Sequence, residues 1–262
     1  MTHGGLPAAT LLMLSLLGCR SPGTIGAPGY GASPGYGASP GGFNVVRLEG
    51  RGTGPTLLIV AGIHGDESTG PEAAGLLATG TPPARGRLVI VPAACPEALA
   101  VGQRQAPLWS DLNRAFGIDG RYEARDGSAR RAAELVALIE AEHPDLLLDL
   151  HESDGSWTEG VSPALVVPSS TAASEFALSL LESPALSDFS FTGPPPAGSL
   201  VSAVDRRLAI PALLVEVPDA LGRAERVAAF LAIVDTAMDV LGMAARTGST
   251  HGMSSTKQAR RP

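Results

Sequence analysis

The 262-residue sequence is poor in aromatic residues, in cysteines and in basic side chains. Lys and Arg number 19 against 26 Asp and Glu, which gives a formal net charge of −7. Nucleic-acid phosphates are bound by clustered basic surfaces, so this balance argues against a nucleic-acid partner. Although only 4% of the residues are aromatic, 44% are hydrophobic. A chain of this length can therefore bury one substantial core, and we expect one folded domain.

Two cysteines cannot form a disulfide framework, and their positions suggest separate roles. Cys19 ends the apolar stretch TLLMLSLLGC, which is too short to cross a bilayer but has the length of the apolar region of a secretion signal. Residues 16–19, LLGC, resemble a bacterial lipobox, after which Cys19 becomes the lipidated first residue. The preceding MTHGGLP contains no Lys or Arg, where a signal usually has a positive region. A chance cysteine after an apolar N-terminus is therefore the alternative.

We predict that residues 1–19 are a lipoprotein signal peptide, followed by a flexible tether over 20–42 that contains GYGASP twice. Its Gly, Pro, Ser and Ala composition cannot bury enough apolar surface to offset the entropy of ordering. The folded domain is expected over 43–245, and the tail 246–262 is read as a solvated end. The resulting protein would be extracytoplasmic and attached to a bacterial membrane, in the periplasm or at the cell surface, through its lipid alone.

From Phe43 onward, short apolar segments alternate with helical patterns. Five segments rich in Val, Ile and Leu predict strands; they are 56–61, 87–92, 145–151, 164–168 and 211–217. Periodic segments predict helices between and after them; these are 71–79, 128–142, 171–182, 198–208 and 222–244. Strands that are apolar on both faces and joined by helices indicate an α/β fold with a largely parallel sheet covered on both sides. Ligands in such folds gather at the carboxyl ends of the strands.

Polar residues that can bind a metal follow two of these strands. His64 and Glu67, in GIHGDES, are three positions apart just past the first strand, so one turn can direct both at one ion. His151 closes the leucine-rich strand DLLLDLHES. Taken alone, each motif is better explained by its structural alternative, an ordinary polar turn for the first and a hydrogen-bonded histidine at a strand end for the second. Together they supply two nitrogens and one carboxylate, the ligand set of a catalytic zinc with an open position, and we predict one zinc ion per chain.

Two further carboxylates stand near the ends of predicted strands. Asp149 shares a strand face with His151, because alternate residues of a strand point the same way, and could orient that imidazole as a hydrogen-bond acceptor. Glu216 interrupts the apolar strand PALLVEV. A buried carboxylate without a partner has a raised pKa, which suits a general base that takes a proton from water and passes it to a leaving amine. The alternative is a strand-end glutamate that reaches solvent.

Two arginines in loops can bind or polarise a substrate. Arg114, in SDLNRAF, offers a planar fork that matches a carboxylate, and Asn113 can add a hydrogen bond. Arg104, in AVGQRQAP, can polarise a carbonyl and stabilise an oxyanion. Asp111 can pair with one of these arginines. The alternative is that both arginines are solvated loop residues.

The ordered motifs GIHGDE, CPEALAVGQR, DLNRAF, LDLHES and LLVEVP resemble the succinylglutamate desuccinylase and aspartoacylase family, a branch of the zinc carboxypeptidase (M14-like) superfamily. The resemblance covers roughly residues 43–245 and implies a three-layer α/β/α fold, doubly wound on a mixed sheet. It also implies roles for individual residues. They are metal binding by His64, Glu67 and His151, acid and base catalysis by Glu216, carboxylate binding by Asn113 and Arg114, and carbonyl polarisation by Arg104.

Three features depart from the family pattern. Arg104 and Asp111 stand two residues further apart than in the desuccinylases. With the folded domain over 43–245, we expect no room in this sequence for the C-terminal β domain of aspartoacylase-type members. The mobile tyrosine of zinc carboxypeptidases has no counterpart upstream of Glu216, since residues 191–216 contain no tyrosine and Tyr122 is misplaced for that role.

These features favour a membrane-tethered zinc hydrolase. Its reaction would be cleavage of an amide bond, or an ester, beside a free carboxylate, in N-acyl amino acids or small peptides. The alternative from another class is a non-catalytic lipoprotein that retains the cleft and only binds its ligand. A serine hydrolase is disfavoured because the sequence has no G-x-S-x-G motif. Dinucleotide binding is disfavoured because the glycine-rich GYGASPGYG lies in the predicted tether.

Overall fold

Strands and helices alternate along the part of the chain that the computed structural model describes, namely residues 37–38, 42–117, 125–154 and 164–244. The strands are β1 (Gly37–Ala38), β2 (Asn44–Glu49), β3 (Thr56–Ala61), β4 (Arg87–Val91), β5 (Leu146–Ser153), β6 (Ala164–Pro168), β7 (Phe189–Phe191) and β8 (Ala212–Pro218). The α-helices are α1 (Thr69–Ala78), α2 (Pro96–Val101), α3 (Gly127–Glu142), α4 (Thr171–Leu181), α5 (Leu200–Leu208) and α6 (Arg223–Val240). Short 3₁₀ helices span Leu112–Arg114 and Pro184–Leu186.

One mixed sheet organises these elements, in the order β1-β2-β4-β3-β5-β8-β6-β7. The central pairs β4–β3, β3–β5 and β5–β8 are parallel, and so is β6–β7 at one edge. The pairs β1–β2, β2–β4 and β6–β8 are antiparallel. The predicted mostly parallel, mixed sheet is therefore confirmed.

Helices cover both faces of the sheet, which confirms the predicted three-layer α/β/α arrangement. On one face, buried residues of β3, β5 and β8 pack against α3 and α5. On the other face, alternate residues of the same strands pack against α1, α4 and α6. The strand TLLIVA is buried at every position because both of its faces are covered.

The predicted elements agree closely with the observed ones, and the differences have physical causes. Strands β3 and β6 have the predicted bounds, and the other three predicted strands, β4, β5 and β8, differ by a residue or two. Strand β2 was missed because NVVRLE is only half buried, so it lacks the continuous apolar run of a central strand. Helix α2 was missed because it is only six residues long; Pro96 opens it and Gly102, in the left-handed conformation, ends it.

The carboxyl ends of β3, β5 and β8 meet because these strands are adjacent and parallel. His151 of β5 lies directly beside Glu216 of β8 in the strand register. Neighbouring residues in register share a face of the sheet, so both side chains project toward the α3 and α5 side. The loop that carries His64 begins where β3 ends.

Several predictions concern residues outside the described ranges. The signal peptide, Cys19, most of the tether, Tyr122 and the tail belong to this group. Strand β1 falls within the segment predicted as tether and pairs with β2. Within the described residues, no helix combines the length and apolarity that crossing a bilayer requires.

Candidate metal centre

A close approach of backbones holds the loop that carries His64 and Glu67. Gly62 has a φ of 72°, in the left-handed region that glycine adopts without strain. A Cβ on Gly65 would lie 2.0 Å from the carbonyl oxygen of Ala98 in α2, and the N–H of Gly65 donates to the carbonyl of Gln103 at 3.0 Å. The glycines of GIHGDES therefore allow the turn to press against α2 and to direct His64 inward.

His64, Glu67 and His151 meet in a buried cluster at the carboxyl edge of the sheet. His64 Nδ1 lies 2.6 Å from Glu67 Oε1, and His151 Nδ1 lies 2.8 Å from Glu67 Oε2. The two imidazole rings have centroids 4.8 Å apart. One potential ligand atom from each residue lies within 4.8 Å of the others, so the three could hold one metal ion.

The outer ring nitrogens of both histidines face carboxylates. Asp111 Oδ1 lies 3.2 Å from His64 Nε2, and Asp149 Oδ2 lies 3.1 Å from His151 Nε2. Asp149 is fully buried, and its alignment with His151 falls short of a hydrogen bond, so neither of its oxygens is hydrogen-bonded to a described residue. Carboxylates in these positions favour a proton on the outer nitrogen, which leaves the inner nitrogen free for a metal.

The charges within the cluster stabilise one another. Burial disfavours the charged form of Glu67, but the two histidines outweigh it and lower the pKa of this carboxyl to about 2. Burial likewise opposes protonation of His151, yet Asp149 and Glu67 raise its pKa well above the usual value. The pKa of His64 is also raised, because hydrogen bonds with Asp111 and Glu67 exceed the cost of burial. A cation that binds the inner nitrogens would displace any proton that they carry.

Glu216 lies beside this cluster with the opposite electrostatic character. Its burial is the main cause that raises the pKa of the carboxyl from 4.5 to about 7, and the nearby carboxylates of Glu67 and Asp149 add to the effect. The positive charge of His151 opposes this rise without cancelling it. Two carboxyl groups of one site, Glu67 and Glu216, are therefore held at pKa values of about 2 and about 7. Such separation is typical of sites that assign different roles to different carboxylates.

The residues predicted to bind substrate lie along the same site. Arg104 donates to Asp111 Oδ2 at 3.2 Å from Nε and 3.0 Å from Nη2, and its Nη1 is 3.6 Å from Glu67 Oε1. Asp111 thus contacts both His64 and Arg104, and this pairing, with the Arg104 and His64 charges, lowers the pKa of Asp111 despite its burial. Arg114 is exposed and donates through Nη1 to the carbonyl of Asn113 at 2.9 Å.

Asn113 is buried and contacts a candidate metal ligand. Its Oδ1 accepts the N–H of Leu200 at the start of α5 at 3.0 Å, and its Nδ2 lies 3.3 Å from His151 Nε2. Asp111 accepts the N–H of Asn113 at 2.8 Å, which shapes the 3₁₀ turn that presents both Asn113 and Arg114. The Asn113 amide is therefore partly engaged by the protein itself.

A cavity of about 450 Å³ opens over this edge. Its lining includes His64, Glu67, Arg104, Asn113, Arg114 and Glu216. Sequence reasoning did not identify two other lining residues, Glu152 and Arg226. A signal for Arg226 was present, because an arginine in the first turn of α6 opposes the helix dipole and so calls for a specific partner. A carboxylate neighbour for it could not be identified without the fold.

The donor chemistry of the cluster fits a zinc ion. Two imidazole nitrogens and one carboxylate face a common centre, which matches a catalytic zinc site with a position left for substrate or water. The buried Asp149 carboxylate, which has no hydrogen bond among the described residues, is a suitable acceptor for the outer N–H of a metal-binding His151.

Comparisons with known proteins agree with the fold. Residues 53–241 match the model of the succinylglutamate desuccinylase/aspartoacylase catalytic domain. The N-alpha-acetyl-L-2,4-diaminobutyric acid deacetylase of Halomonas elongata is 35% identical over 105 residues, which are 38% of this chain and 29% of that protein.

Solved structures share the architecture. An aspartoacylase family protein from Mesorhizobium loti is 26% identical, with a TM-score of 0.60 over 78% of this chain and 62% of that one. The product-bound cell shape determinant protein Csd4 from Helicobacter pylori has a TM-score of 0.64 at 18% identity, over 77% of this chain and 55% of Csd4; at that identity it supports the fold alone. The chain spans less than two thirds of the length of each of these three relatives.

Proposed function

The chain belongs to the succinylglutamate desuccinylase/aspartoacylase family, a family of hydrolases, and from this premise we propose that it is a zinc-dependent hydrolase. It would cleave an amide bond, or an ester, adjacent to a free carboxylate. The observation that carries the proposal is the position of Glu216, with its pKa raised to about 7, directly beside His151 of the His64, Glu67 and His151 cluster.

Zinc would be held by the inner Nδ1 atoms of His64 and His151 and by the carboxylate of Glu67. A zinc ion supplies Lewis acidity that polarises a carbonyl and activates water. Asp111 and Asp149 would keep the two imidazoles in the tautomer and orientation that binding requires.

Glu216 would carry the protons of the reaction. In its charged form it takes one proton from the attacking water, so that the water oxygen can form a bond to the carbonyl carbon. It then gives that proton to the leaving nitrogen as the C–N bond breaks. The ionised form is needed first and the protonated form second, so a pKa near 7 suits both steps at neutral pH.

The arginines would orient the substrate. Arg114 is exposed at the cavity wall and would present its guanidinium to the free carboxylate of the substrate. Asn113, whose carbonyl accepts a hydrogen bond from Arg114 Nη1, lines the cavity beside it. Arg104 lies near both Glu67 and Asp111 and would contact the oxygen of the scissile carbonyl as negative charge develops.

N-acyl amino acids and small peptides are the proposed substrates. By its name, the Halomonas elongata relative deacetylates an N-acetyl amino acid, and one Csd4 structure holds a tripeptide. Both compounds place an amide bond near a carboxylate. A cavity of about 450 Å³ has the volume for ligands of this class.

Metal analysis combined with a substrate screen tests the proposal. The soluble chain from Phe43 onward is expected to hold about one zinc per chain and to hydrolyse at least one N-acyl amino acid or dipeptide. His64→Ala is expected to lose both zinc and turnover. A zinc-loaded protein that binds such compounds but hydrolyses none would instead favour the non-catalytic binding alternative.

We also propose that Cys19 carries a lipid that attaches the protein to an extracytoplasmic membrane surface. The support is the apolar segment that ends in LLGC and the Gly- and Pro-rich stretch after it. Labelling with radioactive palmitate should mark the parent chain and leave Cys19→Ala unlabelled. Equal labelling of both chains would refute the anchor.

A further inference from the structure

Glu152 follows the candidate metal ligand His151 on β5 but points to the other side of the sheet. Successive residues of a strand alternate between faces, so Glu152 projects toward α1 and α6 while His151 projects toward α3 and α5. Its side chain is only 4% exposed. A carboxylate this deeply buried needs partners, and three contacts involve this residue.

The main chain of Glu152 contacts the cluster of candidate metal ligands directly. Its N–H donates to Glu67 Oε2 at 3.2 Å, the same oxygen that faces His151 Nδ1. This bond orients the Glu67 carboxylate toward the two histidines. The position of the peptide group after His151 therefore affects both His151 and Glu67.

The side chain of Glu152 secures the segment that carries Glu67. Its Oε1 accepts the N–H of Thr69, the first residue of α1, at 2.6 Å. Helix α1 starts two residues after Glu67, and the Ser68 at its N-cap position makes no side-chain capping bond. The cap that a serine normally supplies locally thus comes from a strand 83 residues away.

Arg226 neutralises this carboxylate from a third element. Its Nη1 pairs with Glu152 Oε2 from the first turn of α6. The positive end of α1 and the guanidinium together offset the cost of burying the charge. Glu152 consequently joins β5, α1 and α6 beneath the cluster.

We propose that Glu152 is a positioning residue of the metal centre, which fixes Glu67 relative to His151. This inference rests on the proposed zinc function. It assigns Glu152 no contact with the ion. Removing its side chain lets the start of α1 and the peptide after His151 move independently, so the Glu67 carboxylate loses its fixed orientation and zinc is held less tightly.

A matched control separates positioning from general stability. Glu142 is also buried and also pairs with arginines, Arg47 and Arg87, but it lies at the opposite edge of the sheet. Replacing Glu142 removes a buried ion pair without touching the cluster. A purely structural role for Glu152 predicts that Glu152→Gln and Glu142→Gln behave alike.

The experiment measures zinc affinity by competition with a chromophoric chelator, together with the visible spectrum of the Co²⁺-substituted protein. We expect Glu152→Ala to weaken zinc binding about 10–100-fold and Glu152→Gln, which keeps an oxygen for Thr69, to weaken it less. Both are expected to alter the Co²⁺ spectrum. The zinc affinity of Glu142→Gln should stay within about twofold of that of the parent protein. Its Co²⁺ spectrum should be unchanged.

Parent-like affinity and spectrum in both Glu152 variants, or equal losses in Glu142→Gln, would overturn the positioning role while leaving the zinc hydrolase standing. If Glu152→Ala does not fold, Glu152→Gln decides on the same criteria. A parent protein that binds neither zinc nor Co²⁺ would overturn the proposed function and this inference together.

Discussion

Two buried glutamates occupy opposite edges of the central sheet, and they differ in their partners. Glu142 ends α3 near the amino ends of the central strands, which we call the amino edge of the sheet. Its Oε1 accepts a hydrogen bond from Arg47 Nε at 2.8 Å, and its Oε2 lies 3.0 Å from Arg87 Nη1. Glu67, at the carboxyl edge, faces the Nδ1 atoms of His64 and His151. Less than a tenth of the surface of each of these two residues is exposed.

The comparison shows that burial of an acid does not by itself define a site. Arginine keeps its proton at all ordinary pH values, so the cationic partners of Glu142 do not offer a metal ion a free nitrogen. Histidine can release its proton, and a metal ion can then take the vacated position. The carboxyl edge also has a cavity and the raised pKa of Glu216. The candidate metal centre therefore differs from the ion pairs of Glu142 in the type of its partner residues and in its access to a cavity.

The largest expected effect follows from replacing the proton carrier of the carboxyl edge. Glu216→Gln should slow hydrolysis by about 10³-fold, because an amide cannot accept and return the proton. Zinc content should stay at the parent level, since Glu216 is outside the His64, Glu67 and His151 cluster. Steady-state kinetics with metal analysis check both. Parent-like turnover in Glu216→Gln would show that another group carries the proton.

The next effect compares the two glutamates directly. Glu67→Gln should reduce zinc affinity by more than about 100-fold, since it removes a charged ligand. Replacing a residue that only contacts a ligand typically reduces metal affinity by about 10–100-fold. Glu142→Gln should leave zinc affinity unchanged. Chelator competition measures both variants, and circular dichroism checks their folding. Equal zinc binding by Glu67→Gln and the parent would remove Glu67 from the ligand set.

A pH-dependent stability difference would sharpen the contrast. Glu216 has a pKa of about 7 in the folded protein against 4.5 as its ordinary value, so the folded state holds this proton more tightly than the unfolded chain. The favourable contribution of this proton to the free energy of unfolding is complete below pH 4.5, and it is lost as the pH rises to about 7. In metal-free protein, Glu216→Gln should thus raise the free energy of unfolding by about 3 kcal/mol relative to the parent at pH 8, and hardly at all at pH 4.

Denaturant unfolding of both metal-free proteins at these two pH values measures the difference. A pH-independent effect of Glu216→Gln would contradict the raised pKa. His64→Ala is a useful companion variant, because the histidine charge opposes the rise in the pKa of Glu216.

The smallest expected effect concerns the amino edge. Glu142→Gln should lower the free energy of unfolding by roughly 1 kcal/mol, since its arginines are partly exposed and can be hydrated once the charge is lost. The loss should be the same with and without zinc. A larger loss in the zinc-loaded protein would mean that the two edges are coupled.

Much of the fold could be predicted because central parallel strands carry continuous apolar runs. TLLIVA and ALVVP have no charged residue and no polar residue inside the apolar run, and both strands have the predicted bounds. The half-exposed β2, the three-residue β7 and the short helix α2 gave weaker signals, because their burial depends on neighbours that are distant in sequence.

The candidate site could be predicted in part for a related reason. His64, Glu67, His151 and Glu216 follow or interrupt apolar strands, so the rule that ligands gather at carboxyl ends was enough to group them. Glu152 escaped because it breaks no pattern, and the signal at Arg226, an arginine in the first turn of a helix, does not identify its partner. Their pairing depends on β5 and α6 meeting at one edge, across 74 positions of the chain.

By itself, the sequence determined the alternation of strands and helices and the residue types able to bind a metal and move a proton. Hydrophobic periodicity and side-chain chemistry are local properties, and they can be read without knowing the neighbours. Only the tertiary structure decided which nitrogens face Glu67, which carboxylates face the outer nitrogens, and that Glu216 is desolvated. Distances and desolvation depend on the packing of β3, β5 and β8 against one another, since no single segment contains the complete site.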